Sequence, residues 1–233
     1  MEQRLSPPWH PLEAIPVALA ALVTGVLASV ILAATLGGVG GTVYLLAAVA
    51  FQAGLAAFSI LWIAIRHRGW VAALGLRSRR PARDVAVGAW AGAGLFAVVA
   101  FLLYPAFVVL IRVLTGGPPD PINQPVLPSD PTPGEVVLGV VAVVLAAPVG
   151  EEIFFRGFLY GSLRGRFGFW VSGSVSAVVF AVFHGDAVLA VMMFFVGLAL
   201  AYLYQRRGSL AAPIAAHAVF NVVGYALIVM ERT

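Results

Sequence analysis

The sequence predicts an all-α protein, a polytopic bundle of about seven transmembrane helices within a range of six to eight. Of its 233 residues, 61% are apolar and 10% are charged, whereas a soluble domain has about 25% charged residues. The mean hydropathy is +0.99, and the apolar residues form runs of about 20, the length that crosses a bilayer. A surface of this composition must face lipid, so the bilayer is the expected environment.

Seven apolar runs follow one another along the chain. They are 15–36, 42–65, 85–114, 136–164, 169–184, 187–204 and 210–230. Residues 1–114 are therefore expected to form three N-terminal transmembrane helices, and residues 135–233 a helical core within the same membrane domain. Between them, residues 115–134 are rich in Pro and Asp and contain no Arg, which predicts an exposed loop.

The basic residues predict how the bundle is oriented. All 14 are arginines, and six of them lie in the connector 66–83 between the second and third runs. Arginine-rich connectors stay in the cytoplasm, so the N-terminus is expected to be cytoplasmic and the loop 115–134 external, in a plasma (inner) membrane. This arrangement also accounts for the sequence pI near 10 without a nucleic-acid partner, and none is expected.

Three charged residues interrupt the fourth apolar run, in the sequence GEEIFFRG. Charges in the middle of a membrane cost at least about 2.5–3.5 kcal/mol and are usually functional. Glu152 and Arg156 are four residues apart on one helical face, where they can pair. Glu151 points about 100° away from that face and is expected to lack this partner. An ion pair that only stabilises the bundle explains Glu152 and Arg156 but leaves Glu151 unexplained.

Two further polar pairs lie on later runs. Phe180 and His184 end the fifth run, and His217 and Asn221 lie within the seventh; each pair shares one helical face. The chain has no cysteine, which excludes disulfides, thiolate metal sites and a cysteine nucleophile. Any acid–base or metal chemistry must therefore use histidines and carboxylates.

The motifs in GEEIFFRGFLYGSL, FAVFH and HAVFN, in this order, resemble those of the CPBP family of intramembrane proteases. That family includes the CAAX prenyl endopeptidases and the bacteriocin-processing and self-immunity proteins. Its pattern of EExxxR, FxxxH and HxxxN is matched at every position, within about residues 136–224. The resemblance implies an intramembrane endopeptidase that cuts a membrane-associated or prenylated (CAAX-like) peptide, with a hydrophobic or lipidated peptide or protein as its partner.

Peptide hydrolysis needs an activated water, a stabiliser for the oxyanion and a proton for the leaving amine. Glu151 together with His184 could hold and deprotonate the water. His217 and Asn221 could polarise the scissile carbonyl and stabilise the oxyanion. The resemblance implies the same catalytic set, with Glu152, Arg156 and Phe180 as supporting residues.

A zinc mechanism is the rival interpretation of the same residues. Glu151, His184 and His217 could act as a His₂Glu zinc set with water in the fourth position, and CPBP proteins are often labelled metalloproteases. The chain has no HExxH, which excludes a zincin arrangement. A metal-free site with no cofactor is favoured because Glu152, expected to be committed to Arg156, is not available to orient a histidine. The Asn221 amide is also a poor zinc ligand.

Two other functions remain open at this point. One is a non-proteolytic membrane adaptor or immunity protein with the same fold, which would not need all seven motif residues. The other is a proton-coupled transporter with Glu151 and the histidines as a relay. Transporters are usually built from paired halves with broken helices, and no motif in residues 1–115 corresponds to those in the C-terminal half.

The depths of the motif residues conflict with seven straight spans of full length. His184 would lie near the external end of its span, Glu151 near mid-membrane, and His217 about 11 Å from the cytoplasmic side. These side chains can meet only if the fifth and sixth spans are short, with a turn at Gly185, or if the fourth helix is displaced toward one face of the membrane.

Overall fold

The computed structural model describes residues 7–119 and 127–232, and these residues form an all-helical structure. Residues 120–126, part of the predicted external loop, lie outside the described residues. The helices are α1 (Ala14–Leu36), α2 (Gly41–Arg66), α3 (Pro81–Val98), α4 (Tyr104–Thr115), α5 (Pro133–Gly139), α6 (Ala147–Glu151), α7 (Gly161–Val182), α8 (Ala187–Arg207) and α9 (Ala211–Arg232). Segments of π-helix connect α3 to α4 (Val99–Leu103), α5 to α6 (Val140–Ala146) and α6 to α7 (Glu152–Tyr160).

Six continuous helices in the described residues are long and apolar enough to cross a membrane. Large apolar side chains also cover the outside of the bundle: Trp90 is 82% exposed and Phe101 is 81% exposed. A soluble protein rarely presents so much contiguous apolar surface to water. The predicted fold class, a polytopic helical bundle, is confirmed, and the chain is an integral membrane protein.

The longest of these helices, Pro133–Val182, folds back on itself at Gly168. This glycine has φ = 71° and ψ = −179°, a left-handed conformation that side chains other than glycine rarely adopt. On the two sides of it, the Ser176 hydroxyl donates to the Phe155 carbonyl at 3.0 Å. A straight helix would hold these residues about 30 Å apart. The 50 residues therefore form a helical hairpin with two arms, as the separate fourth and fifth apolar runs predict.

The hairpin brings Glu151 and His184 to the same level along its two arms. Glu151 lies 17 residues before Gly168, and His184 lies 16 residues after it, so the two arms bring them to similar depths. The second arm is short, because α7 ends at Val182 and Gly185 turns the chain with φ = 69°. Asp186 then starts α8 by accepting the Leu189 backbone N–H at 2.8 Å. The fifth span is therefore short and Gly185 turns the chain after it, whereas the sixth span, α8, was wrongly expected to be short: it has 21 residues and is long enough to cross a membrane.

Most predicted ends agree with the helix bounds to within a few residues, but two differ in an informative way. The third run was predicted to begin at residue 85, and α3 begins at Pro81, with proline at its first position and Asp84 in its first turn. Asp84 is buried and pairs with Arg207 on α8. This pairing allows a charged residue to lie within the first turn of α3. The loop predicted to end at residue 134 ends at Thr132, where a capping box with Glu135 starts α5.

Helix α9, which carries His217 and Asn221, packs closely against α3. Side chains added at Gly88 and Gly92 would collide with the backbone of Ala212 and Ala216 on α9. Two glycines four residues apart therefore allow the helix backbones to touch, as in other small-residue helix interfaces in membranes. This contact fixes α9 immediately beside His217.

The residues before α1 are anchored to the hairpin by Trp9. Its side chain is fully buried, and its indole N–H donates to the Phe158 carbonyl at 3.0 Å. Phe158 belongs to the π-helical segment Glu152–Tyr160, which also carries Glu152 and Arg156. A hydrogen bond from outside the helix therefore satisfies a carbonyl of the segment that presents the charged motif.

We expect Trp9→Ala to lower the free energy of unfolding by about 3–5 kcal/mol, because a large buried ring leaves a cavity. Trp9→Phe should cost about 1–3 kcal/mol, since it chiefly strips the Phe158 carbonyl of its donor. Reversible unfolding in mixed micelles measures both. Trp170→Ala is the control, because Trp170 is 73% exposed. A loss at Trp9 no larger than the loss at Trp170 would contradict this interpretation of the anchor.

Candidate functional site

The charged motif places a fully buried ion pair between the two arms of the hairpin. Glu152 Oε1 lies 2.9 Å from Arg156 Nη1, and both side chains are inaccessible to solvent. Arg156 also donates to the Gly197 carbonyl on α8 at 3.3 Å, and its guanidinium lies over the Phe180 ring, 4.4 Å from its centroid. The predicted pairing of Glu152 with Arg156 is present, and Phe180 covers the cation.

Glu152 does more than pair with Arg156. The same carboxylate oxygen lies 3.0 Å from His217 Nδ1. An ionised carboxylate can only accept, so Nδ1 of His217 carries the proton and its ring orientation is set by Glu152. The expectation that Glu152 is committed to Arg156 alone was wrong, because α9 packs against the hairpin at this point and brings His217 within reach.

Glu151 also has a partner that the sequence did not reveal. The Gln52 amide, on α2, donates to Glu151 Oε1 at 2.7 Å. The other oxygen, Oε2, lies 3.9 Å from His217 Nε2 and accepts no hydrogen bond among the described residues. The prediction that Glu151 does not share the Arg156 pairing agrees with these contacts, but Glu151 is held by an amide.

His184 is oriented by the backbone of its own helix. Its Nδ1 lies 2.8 Å from the Phe180 carbonyl, and a carbonyl oxygen can only accept, so Nδ1 carries a proton. In the neutral ring Nε2 is then the hydrogen-bond acceptor. The Phe180 ring packs edge-on against both His184 and His217, with centroid distances of 4.8 and 5.8 Å. Phe180 thus stands between the two histidines.

Asn221 is tied to the other π-helical segment. Its amide nitrogen donates to the Val143 carbonyl at 2.8 Å, within Val140–Ala146. A π-helix shifts the backbone hydrogen-bond pattern and is often found at functional sites. One of the two amide hydrogens of Asn221 is committed to Val143, which leaves one for an oxyanion.

All four predicted catalytic residues line one cavity of about 400 Å³. The cavity lies between α2, the first arm of the hairpin, the turn before α8, and α9. Its walls are mostly apolar, and Gln52 joins the four as a further polar lining residue. Tyr44 and Phe183 also line it and are 51% and 45% exposed, so it opens between α2 and the end of α7. An apolar cavity with a few convergent polar groups is typical of a binding or catalytic site.

The residues fit a metal ion only in part. His217 has its Nδ1 fixed by a carboxylate and His184 has its Nδ1 fixed by a carbonyl, as metal-binding histidines usually do. The expectation that no group is available to orient a histidine was therefore wrong. In the part of the chain that the structure describes, however, no three His, Asp or Glu side chains are grouped closely enough to hold one ion. Glu151, His184 and His217 as arranged do not form a zinc site.

Gln52 is the residue that the sequence analysis missed. It is 9% exposed and lies in the second apolar run, outside the three motifs. The signal was present, because a carboxamide in the middle of a membrane span is costly unless it has a hydrogen-bond partner. The sequence does not show which of the other spans supplies that partner.

The fold and cavity define a polytopic membrane protein with an ionisable cluster between its helices, and comparisons with known proteins show what its C-terminal segment resembles. Residues 133–223 match the family model described as "Type II CAAX prenyl endopeptidase Rce1-like". This segment of the chain is therefore similar to that family, in agreement with the resemblance that its motifs indicate. It contains all seven motif residues, whereas Gln52 lies outside it.

Two curated proteins resemble the chain. It is 31% identical over 86 residues to "Putative membrane peptidase YdiL" of Bacillus subtilis (strain 168), an alignment that covers 37% of this chain and 35% of that protein. It is 24% identical over 180 residues to "Uncharacterized 24.3 kDa protein" of Escherichia coli, covering 75% of this chain and 78% of that one. The chain thus spans about a third of the first relative. No solved structure matches it significantly.

Proposed function

We propose that this protein is an intramembrane endopeptidase that hydrolyses a peptide bond in a membrane-associated or prenylated peptide. The observation that supports this most directly is the single cavity lined by Glu151, His184, His217 and Asn221. The match of residues 133–223 to a family of CAAX prenyl endopeptidases supports the same reaction and a lipidated substrate. The cavity has apolar walls, and it opens beside the exposed side chains of Tyr44 and Phe183. These features suit the binding of a hydrophobic peptide.

The first step is the attack of water on the scissile carbonyl. Glu151 Oε2, which has no other hydrogen bond among the described residues, accepts a proton from the water. His184, with Nδ1–H donated to Phe180, holds the same water through Nε2. The water oxygen bonds to the carbonyl carbon, and the electron pair of the carbonyl moves to its oxygen.

The second step stabilises and resolves the tetrahedral intermediate. His217 is held by the contact between its Nδ1 and Glu152, and a proton on Nε2 would be donated to the oxyanion. Asn221 supplies its remaining amide hydrogen from the other side. As the carbon–nitrogen bond breaks, the protonated Glu151 returns its proton to the leaving amine, so the glutamate ends the cycle ionised.

Purified protein in liposomes should cleave a transmembrane or lipidated peptide at one bond. Matched peptides with and without a prenyl group on a C-terminal cysteine test the substrate class; faster cleavage of the prenylated peptide supports a CAAX-like substrate. Mass spectrometry identifies the products. A folded protein that cleaves neither peptide would contradict the proposal and favour an adaptor, and proton flux without cleavage would favour a transporter.

In this mechanism no metal takes part, so we expect the purified protein to contain less than one zinc per chain. Activity should survive chelation and buffer exchange, because Glu151 activates the water directly. Elemental analysis and activity before and after chelation measure this. One equivalent of tightly bound zinc, with activity lost on removal and restored on its return, would assign Glu151, His184 and His217 as ligands.

We propose a cytoplasmic N-terminus in a plasma membrane, based on the arginine-rich connector 66–83. Single cysteines can report on it without background, since the chain has none. An impermeant maleimide added to intact cells should label Val39→Cys, which lies in the exposed turn after α1. Arg79→Cys should react only after the cells are permeabilised. The reverse pattern would invert the topology.

A further inference from the structure

Gln52 joins the N-terminal helices to the site. It lies on α2, and its side chain reaches across to the hairpin, where Nε2 donates to Glu151 Oε1 at 2.7 Å. A carboxamide can be built with its nitrogen and oxygen exchanged. A carboxylate can only accept, so with the nitrogen facing Glu151 the amide is the donor. The contact is therefore a directional one, from amide to carboxylate.

The backbones of α2 and α6 approach closely where this contact forms. A side chain added at Gly150 would collide with the Gln52 backbone carbonyl and would lie 2.8 Å from Gln52 Oε1. Glycine at position 150 therefore lets α2 come near enough for Gln52 to reach the next residue, Glu151. The Gln52 side chain spans the gap and holds the carboxylate through this one hydrogen bond.

The hydrogen bond leaves the two oxygens of Glu151 in different states. Oε1 is held by Gln52, while Oε2 is buried, accepts no hydrogen bond among the described residues, and lies 3.9 Å from His217 Nε2. A carboxylate free to rotate would exchange these positions. Gln52 prevents the exchange, so one oxygen stays oriented toward His217.

We infer that Gln52 is a positioning residue for Glu151, holding the carboxylate so that Oε2 takes the proton of the attacking water. The inference rests on the proposed peptidase function and extends the site to α2, outside the family-matched segment 133–223. Gln52 acts through Glu151, so its loss affects the rate of the chemical step more than the binding of the peptide.

Gln52→Leu, which keeps the size but removes both polar atoms, should lower kcat by about 10- to 100-fold with KM changed less than about threefold, because misplacement by about 1 Å costs this much. Ser59→Ala is the matched control. Ser59 is also buried on α2, but among the described residues its hydroxyl bonds to the Leu55 carbonyl of its own helix, and it is not among the residues that line the cavity. It should keep the activity of the unaltered protein.

Gln52→Glu separates positioning from packing, because it has the same shape. The new carboxyl can donate to Glu151 only while the pair shares a proton. Activity should therefore be recovered at low pH. It should be lost as the pH rises, because both carboxyl groups then ionise and repel each other. The pH profile of this variant is thus displaced to lower pH than that of the unaltered protein. A residue that only fills space would leave the pH profile unchanged.

Infrared difference spectra test the inference without relying on activity. Subtracting the spectrum of Glu151→Gln isolates the carboxylate bands of Glu151. These bands should shift in Gln52→Leu and stay in place in Ser59→Ala. Unshifted bands, or a Gln52→Glu profile with the original pH dependence, would overturn the inference. Shifted bands in a protein that cleaves nothing would support the contact while refuting the peptidase proposal.

Discussion

Glu151→Gln should lower peptide cleavage by at least about 10²- to 10⁴-fold, the contribution of a general base. The substitution keeps the shape of the side chain and retains an oxygen that can accept from Gln52. It removes the capacity to take a proton from water. The fold should therefore be preserved, and the thermal unfolding midpoint should change by no more than a few degrees.

The matched control for this loss is Glu135→Gln. Glu135 lies on the same long helix, but it is exposed and caps the start of α5 through Thr132. Its replacement should change stability little, because glutamine can take the same place in a capping box, and should leave cleavage intact. Cleavage by Glu151→Gln at more than a tenth of the normal rate would mean that another group activates the water.

Glu152→Gln should lower both stability and activity. Breaking the buried pair with Arg156 costs about 3–5 kcal/mol, because the guanidinium is left without its counterion. The same oxygen orients His217, so cleavage should fall by at least about 10-fold in the fraction that remains folded. Unfolding in mixed micelles and a cleavage assay on the folded fraction measure the two effects.

A double variant separates the two roles of Glu152. Glu152→Leu combined with Arg156→Met replaces the whole pair by apolar side chains, which is often neutral or stabilising for a buried ion pair. Stability should therefore recover, whereas activity should not, since His217 Nδ1 still lacks its carboxylate. Recovery of both would show that Glu152 serves only to neutralise Arg156.

The sequence was sufficient to predict the fold class, and the four residues it proposed as catalytic line one cavity. Apolar runs of membrane length report directly on helices that face lipid, and charges within such runs are rare enough to mark Glu151, Glu152 and Arg156. Histidines and an asparagine on later runs completed the set. These patterns are local, with a period of 3.6 residues and spacings of four. They depend on the geometry of a single helix and not on how the helices pack.

What the sequence did not predict depends on contacts between distant helices. The helices approach one another closely at Gly88, Gly92 and Gly150, and no local period encodes these contacts. Two pairings were missed for this reason. Glu152 contacts His217, which lies 65 residues further along the chain, and Gln52 donates a hydrogen bond to Glu151, which lies 99 residues further along.

Cleavage of a membrane peptide in ¹⁸O-labelled water, by chelator-treated protein, tests the central claim most directly. If Glu151 activates water within the bilayer, mass spectrometry should find one ¹⁸O in the new carboxyl terminus of the product. Glu151→Gln should give no such product in the same time. Cleavage without the label, cleavage that depends on added zinc, or labelled product from Glu151→Gln at the normal rate would contradict the account.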